Sequence, residues 1–302
     1  MSKIALFGYD IFGNPVTRKD MGPLAQKFIF PPFSVLDARS GEWQARKQAW
    51  LNIGIKSEIG REKSMTYNIP VSKYENMDEY YSEEAQKYNT SIFDPVLCEL
   101  IYTWFCPPWG QIVDPFAGGS VRGIVASLLG YKYWGCDLSA EQIKANNVQA
   151  VEILNGEERS IWIVGDSLNE LENAPVADLI FSCPPYGDLE RYSDDPRDLS
   201  TMEYHTFIAT LKRIILRCAK ILKSNGYACF VIGDFRDKRT GNYRGFIADT
   251  INGFRENGFS LYNEAILMKP ISSASMRADR QFGSNKKLVK VHQNVLIFRK
   301  NA

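Results

Sequence analysis

A chain of 302 residues with a net charge of +1 and 45% apolar residues has the composition of an ordinary soluble globular protein, with room for one large core or a core plus an appendage. The near-neutral balance excludes a strongly polybasic binder but not nucleic-acid binding, which depends on where charge is placed. Two histidines and six cysteines without a Cys-x-x-Cys pair speak against a zinc site. The lack of a basic-then-apolar leader and of a membrane-length apolar run predicts a reduced, cytoplasmic protein.

Residues 1–90 lack a regular alternation of strands and helices and read as an irregular N-terminal arm. Pro31, Pro32 and Phe33 interrupt it, and 41–55 fits a helix, with Trp43, Lys47, Trp50 and Gly54 three to four apart. Residues 56–90 are polar and turn-rich, with Tyr67, Tyr74, Tyr80, Tyr81 and Tyr88. A second domain runs from 91 to 302. Its elements in order are a helix over 95–105, a buried strand over 111–114, a helix over 121–129, a strand over 133–137 and a helix over 140–154. Ser139 is placed as N-cap of that last helix and Gln142 at the capping-box position. Strands over 162–165 and 177–182, a helix over 202–222, a strand over 227–233, a helix over 244–257 and strands over 259–267 and 293–298 follow. This alternation predicts an α/β fold with a mainly parallel sheet covered on both faces.

Ligands of such sheets sit at the carboxyl ends of the strands. The first strand ends at Asp114, followed by Pro115-Phe116-Ala117-Gly118-Gly119-Ser120, a small-residue turn that lets backbone approach a ligand. The next ends at Asp137-Leu138, an acid placed to accept from ribose hydroxyls, and the third at Asp166-Ser167, facing an adenine amino group. Taken singly these are a strand-to-helix turn and capping acids; in succession they point to a nucleoside-containing ligand. The turn lacks the Gly-x-Gly-x-x-Gly that cradles a pyrophosphate. A carboxylate there suits the cations of S-adenosylmethionine (SAM) better than phosphate. The 177–182 strand ends differently, at Ser182-Cys183-Pro184-Pro185-Tyr186: a stiff loop whose carbonyls can accept amino hydrogens, followed by a flat ring for stacking a base.

Asp114–Ser120 resembles the SAM-binding motif, and Ser182–Tyr186 the catalytic motif, of the DNA amino-methyltransferases that modify cytosine N4 or adenine N6. Cys183-Pro-Pro-Tyr-Gly-Asp-Leu-Glu, with His292-Gln-Asn-Val-Leu296, resembles methylase-like proteins of phages and prophages, some of the wider family serving restriction-modification. The resemblance covers about residues 91–302. It implies a Rossmann-like SAM-dependent methyltransferase fold, a seven-stranded, mostly parallel sheet with one antiparallel strand. It further implies SAM as cofactor with S-adenosylhomocysteine as product, no metal, and double-stranded DNA as partner. Phe93 and Asp94 resemble the element completing the methionine pocket. Ser120 departs from the family's third glycine, and Cys183 replaces an oxygen or amide side chain with a weak acceptor.

An amino group on a base is a poor nucleophile, so the enzyme's work is to align nitrogen, methyl and sulfur and to hydrogen-bond the amino hydrogens. In duplex DNA the base must first be flipped out. A covalent role for Cys183 belongs to a Pro-Cys order, whereas here it is Cys-Pro. His205 and His292 read as structural or substrate-facing. Arg191, Arg236, Lys238, Arg239, Arg244, Lys286, Lys287 and Lys290 are candidates for phosphate contacts, the alternative being a solvated surface. RNA or protein-glutamine methylation remains a second enzyme reading, and a DNA-binding protein that kept the fold and lost turnover a non-enzyme reading. The oligomeric state is open, a homodimer included; the N-terminal arm is a further candidate for DNA contact.

Overall fold

The computed structural model describes residues 22–56, 93–156, 159–189, 191–271 and 274–302. Residues 228–232 are all buried, and their side chains alternate between two cores: Cys229 and Val231 face one, Ala228, Phe230 and Ile232 the other. A strand buried on both faces must lie in the middle of a covered sheet. The strands are β1 (Val35–Asp37), β2 (Gln111–Asp114), β3 (Lys132–Asp137), β4 (Ser160–Val164), β5 (Ala177–Ser182), β6 (Leu222–Ile232), β7 (Phe259–Met268) and β8 (His292–Lys300). They are ordered β1-β7-β8-β6-β5-β2-β3-β4. Strand β8 runs antiparallel to β6 and β7, and the other pairs are parallel. Helices Gly41–Leu51, Pro95–Phe105, Val121–Leu128 and Ala140–Leu154 contribute to one core, and Tyr204–Ile221 and Phe246–Glu256 to the other.

The Rossmann-like order and its antiparallel insertion agree with expectation; the strand number is corrected from seven to eight. The added strand, β1, pairs parallel with β7, Leu36 opposite Leu267. Three residues are too short to show a period, which is why this edge strand escaped notice. Helices Pro23–Phe28 and Ala274–Asn285 were missed too, and the 41–55 helix stops at Leu51. The helix expected over 202–222 is Tyr204–Ile221, and a 3-10 turn, Leu199–Thr201, precedes it. Helix Pro95–Phe105 and strands β2 and β5 have the expected bounds. Ser139 caps its helix by accepting from the Gln142 amide at 3.1 Å. The five tyrosines of 56–90 lie outside the described residues.

The Gly41–Leu51 helix is locked to the Pro95–Phe105 helix by buried chemistry. Arg46 Nε donates to Glu99 Oε2 at 2.6 Å, and Trp50 Nε1 donates to the same oxygen at 2.9 Å. Among the described residues no helix is long and apolar enough to cross a membrane.

Candidate active site at the switch point of the sheet

Strands β2, β3 and β4 progress outward on one side of the sheet's centre, β5 and β6 on the other. The crevice therefore opens beyond the carboxyl ends of β2 and β5, where order reverses. The small-residue turn and the Pro-Pro loop both start there. Gly118 has φ +50°, a conformation glycine adopts without steric cost, and a Cβ there would approach only Arg122, at 3.8 Å. Ser120, by contrast, has φ −66°, so the family's third glycine is dispensable at this position. Its buried hydroxyl meets Gln149 at 3.2 Å.

Asp137 is half-buried at the end of β3. One of its oxygens accepts from the Gly118 amide at 2.9 Å and the other from the Ser139 amide at 3.0 Å. Burial raises its carboxyl above the usual range, the two amides partly offsetting this. The acid thus fixes the glycine turn and keeps acceptor capacity on both oxygens. Leu138 is half-buried beside it. Asp166 caps the short helix Ser167–Glu170 through one oxygen, Leu168 N at 2.9 Å, and is half-buried.

Other expected cofactor residues turn inward. Asp114 is fully buried and saturated: Oδ1 accepts from Phe116 N at 3.1 Å and Ser182 Oγ at 2.5 Å, Oδ2 from Arg122 Nε at 2.5 Å and Tyr133 OH at 2.8 Å. It does not present a carboxylate to a bound cation, as its place in the turn suggested; it neutralises Arg122. That guanidinium also donates to the Phe116 and Ala117 carbonyls and lies 4.6 Å from the centre of the Phe93 ring. Ser167 donates to the Pro115 carbonyl. Asp94 caps the Pro95–Phe105 helix with one oxygen and receives Trp43 Nε1 at 3.2 Å on the other. Arg122 was overlooked, although a lone charge in Val-Arg-Gly-Ile-Val-Ala is a signal that a buried partner must exist.

Ser182 is fully buried, and its hydroxyl ties β5 to β2. After it come half-exposed Cys183, buried Pro184 and half-buried Pro185 and Tyr186. The Tyr186 hydroxyl accepts from Gln293 Nε2 at 2.5 Å and lies 3.7 Å from Cys183 Sγ. Its ring meets Phe246 edge-on at 6.2 Å. Burial pushes its phenol well up. Tyr186 lines a cleft of about 260 Å³ with Gly233, Asp234, Lys290, His292 and Gln293. Gln293 and Asp234 are additions to the residues expected here. His292 lines the cleft and is shifted down by burial, then by Lys290. His205 lies beside the Tyr204 ring at the start of the Tyr204–Ile221 helix.

The basic candidates divide. Arg236 and Lys287 line a second concavity together, and Lys290 is in the cleft with Tyr186. Arg244 is held by Asp237 at 3.0 Å and Arg191 by Asp194 at 2.7 Å. Lys238, Arg239 and Lys286 are exposed.

A family model described as DNA methylase matches residues 177–302. Over this segment the chain is similar to the DNA methylases. The matched segment contains β5, the Pro-Pro loop, the Tyr186 cleft and both walls of the second concavity; the glycine turn and Asp137 precede it. No curated protein matches the chain. Among solved structures it is similar to TrmN from Thermus thermophilus, at 15% identity over 69% of this chain and 49% of that one, TM-score 0.43. It thus spans about half of the Thermus protein. It is also similar to magnesium protoporphyrin IX methyltransferase from Synechocystis, solved with bound SAM, at 11% identity over 74% and 85% of the two chains, TM-score 0.45. A third is a TehB-like SAM-dependent methyltransferase from Corynebacterium glutamicum, at 17% identity over 73% and 94%, TM-score 0.43.

Proposed function

We propose that the protein transfers a methyl group from SAM to the exocyclic amino group of a DNA base, cytosine N4 or adenine N6, with the base flipped out of the duplex. The observation that carries this reading is the junction of two loops. The turn that Asp137 fixes and the Ser182–Tyr186 loop start from adjacent strands, and Ser182 Oγ binds Asp114 Oδ1 at 2.5 Å between them.

The residues present fit SAM. Asp137 keeps acceptor capacity for the ribose hydroxyls, the turn at Gly118 has room for a ligand, and Asp166 remains half-buried for the adenine amino group. The bound cofactor supplies an activated methyl on a sulfonium. The chain's own residues do the positioning. The Ser182 and Cys183 carbonyls accept the amino hydrogens, so the nitrogen lone pair leaves the ring's conjugation. Pro184 and Pro185 hold those carbonyls in direction. The base enters the cleft beside Tyr186 and stacks on its ring. Arg122 neutralises Asp114, which keeps a bare carboxylate away from the base.

The test is incubation of the protein with labelled SAM and unmethylated genomic DNA, followed by nucleoside mass spectrometry. Labelled N4-methylcytosine or N6-methyladenine is expected. Label in RNA or protein alone would move the substrate elsewhere.

A further inference from the structure

The helix Ala274–Asn285 runs past two concavities. Ala274 and Arg277 line the Tyr186 cleft. One turn further on, Arg280, Gln281, Ser284 and Asn285 line the second, a groove of about 440 Å³ whose other walls are Arg236 and Lys287. The groove's walls are in contact: a Cβ on Gly241 would meet Lys287 Nζ at 2.4 Å. Arg236 is held in place on that side, stacked 3.9 Å over the Tyr243 ring and donating to the Gly241 carbonyl at 3.0 Å. Residues 269–290 carry six Lys/Arg and one acid, Asp279, which lines neither concavity. Among the described residues no acid pairs with Arg280 or Lys287.

Like charges converging on a polar groove repel one another unless an anion is their counterpart. The amide and hydroxyl groups of Gln281, Ser284 and Asn285 add the neutral donors that phosphate sites use. From Arg277 to Ser284 the helix rises about 10 Å, the length of roughly three base steps.

We propose that this groove binds the DNA phosphodiester backbone, about three steps from the nucleotide taken up beside Tyr186, so that one helix sets the distance between them. The proposal rests on the DNA-methylation reading for its choice of partner. Arg277 serves the cleft end and Arg280 with Lys287 the groove end.

The test uses the full chain and a short fluorescent unmethylated DNA duplex, titrated over a range of salt. Arg280→Gln and Lys287→Gln should each bind more weakly and lower the slope of log K against log salt by about 0.9. The KM for sheared unmethylated genomic DNA should rise several-fold, with kcat at saturating DNA and calorimetric SAM affinity unchanged. Lys220→Gln, on the exposed face of the Tyr204–Ile221 helix, should move none of these. Wild-type slopes and affinities in both variants would overturn the proposal, as would a slope change seen with RNA and not with DNA. A wild-type protein that binds no DNA overturns it as well. Weakened DNA binding in the variants, with no methyl transfer to DNA by the wild type, would sink the methylation reading and leave the groove standing.

Discussion

Burial raises the Asp137 carboxyl while the Gly118 and Ser139 amides pull the other way, so the free protein holds this acid's proton to a higher pH than an exposed aspartate does. Ribose hydroxyls donate to the ionised form and would lower its pKa on binding. SAM affinity should therefore be flat above the raised pKa, fall as pH drops through it, and level off below the lowered pKa of the complex. Binding inside that window releases a proton, which calorimetry in buffers of different ionisation enthalpy detects. Absence of proton release and a flat profile would remove Asp137 from the ribose. Tyr186→Ala should cost roughly 1–3 kcal/mol in kcat/KM for DNA, the worth of a base stack, while SAM affinity holds. Loss of SAM binding with turnover intact would assign this loop to the cofactor instead. Cys183 is half-exposed, whereas the other five cysteines are buried. Burial pushes the Cys106 and Cys136 thiols up to about 12. The native protein should expose one titratable thiol, and Cys183→Ser should abolish it while keeping or raising methyl transfer, since a hydroxyl is the better acceptor. A collapse of activity, with a denaturation-resistant adduct on 5-fluorocytosine DNA, would establish the covalent route.

At the scale of elements, the cofactor turn and the Pro-Pro loop are joined by the buried set Arg122, Asp114, Tyr133 and Ser182. Arg122→Met leaves a buried carboxylate without its cation, which should cost about 3–5 kcal/mol in urea unfolding. Arg122→Met with Asp114→Asn should recover much of that loss. No recovery would mean that Arg122 acts through the Phe116 and Ala117 carbonyls rather than through Asp114. None of these partnerships was legible in the sequence, because they join residues 8 to 68 positions apart. What was legible follows from local physics. Residues 228–232 advertise a doubly buried strand by being apolar throughout, and Asp94-Pro95 announces a helix start with both its cap and its N1 proline. Strand β1 has too few residues to show alternation. Helix Ala274–Asn285 buries only Ala274, so it has almost no apolar stripe to read. The strand-end acids were placed at the site by pattern, but the pattern does not say which way each turns. Asp137 and Asp166 stay partly open, whereas Asp114 is consumed by an arginine on the next helix.

For the molecule as a whole, the crevice lies between cores that cover opposite faces of one sheet, and each loop at its rim is the end of a strand shared by both cores. A ligand bound at the switch point is thus held by elements that separate only when the sheet comes apart, so its binding energy should add to global stability. At 100 times its Kd, SAM should stabilise the native state by about 2.7 kcal/mol. For a chain of this size that is a rise in Tm of about 4 °C. The rise should grow with the logarithm of SAM concentration. Tyr186→Ala should keep it, because Tyr186 lines the cleft walled by Gly233 and Asp234, just past β6, and by His292 and Gln293 of β8. Asp137→Ala should lose most of it, because that change removes both the ribose acceptor and the carboxylate that fixes the Gly118 amide at 2.9 Å. A full SAM-dependent rise in Asp137→Ala would place the cofactor away from β3. A rise lost in Tyr186→Ala but kept in Asp137→Ala would exchange the roles of the two halves of the crevice.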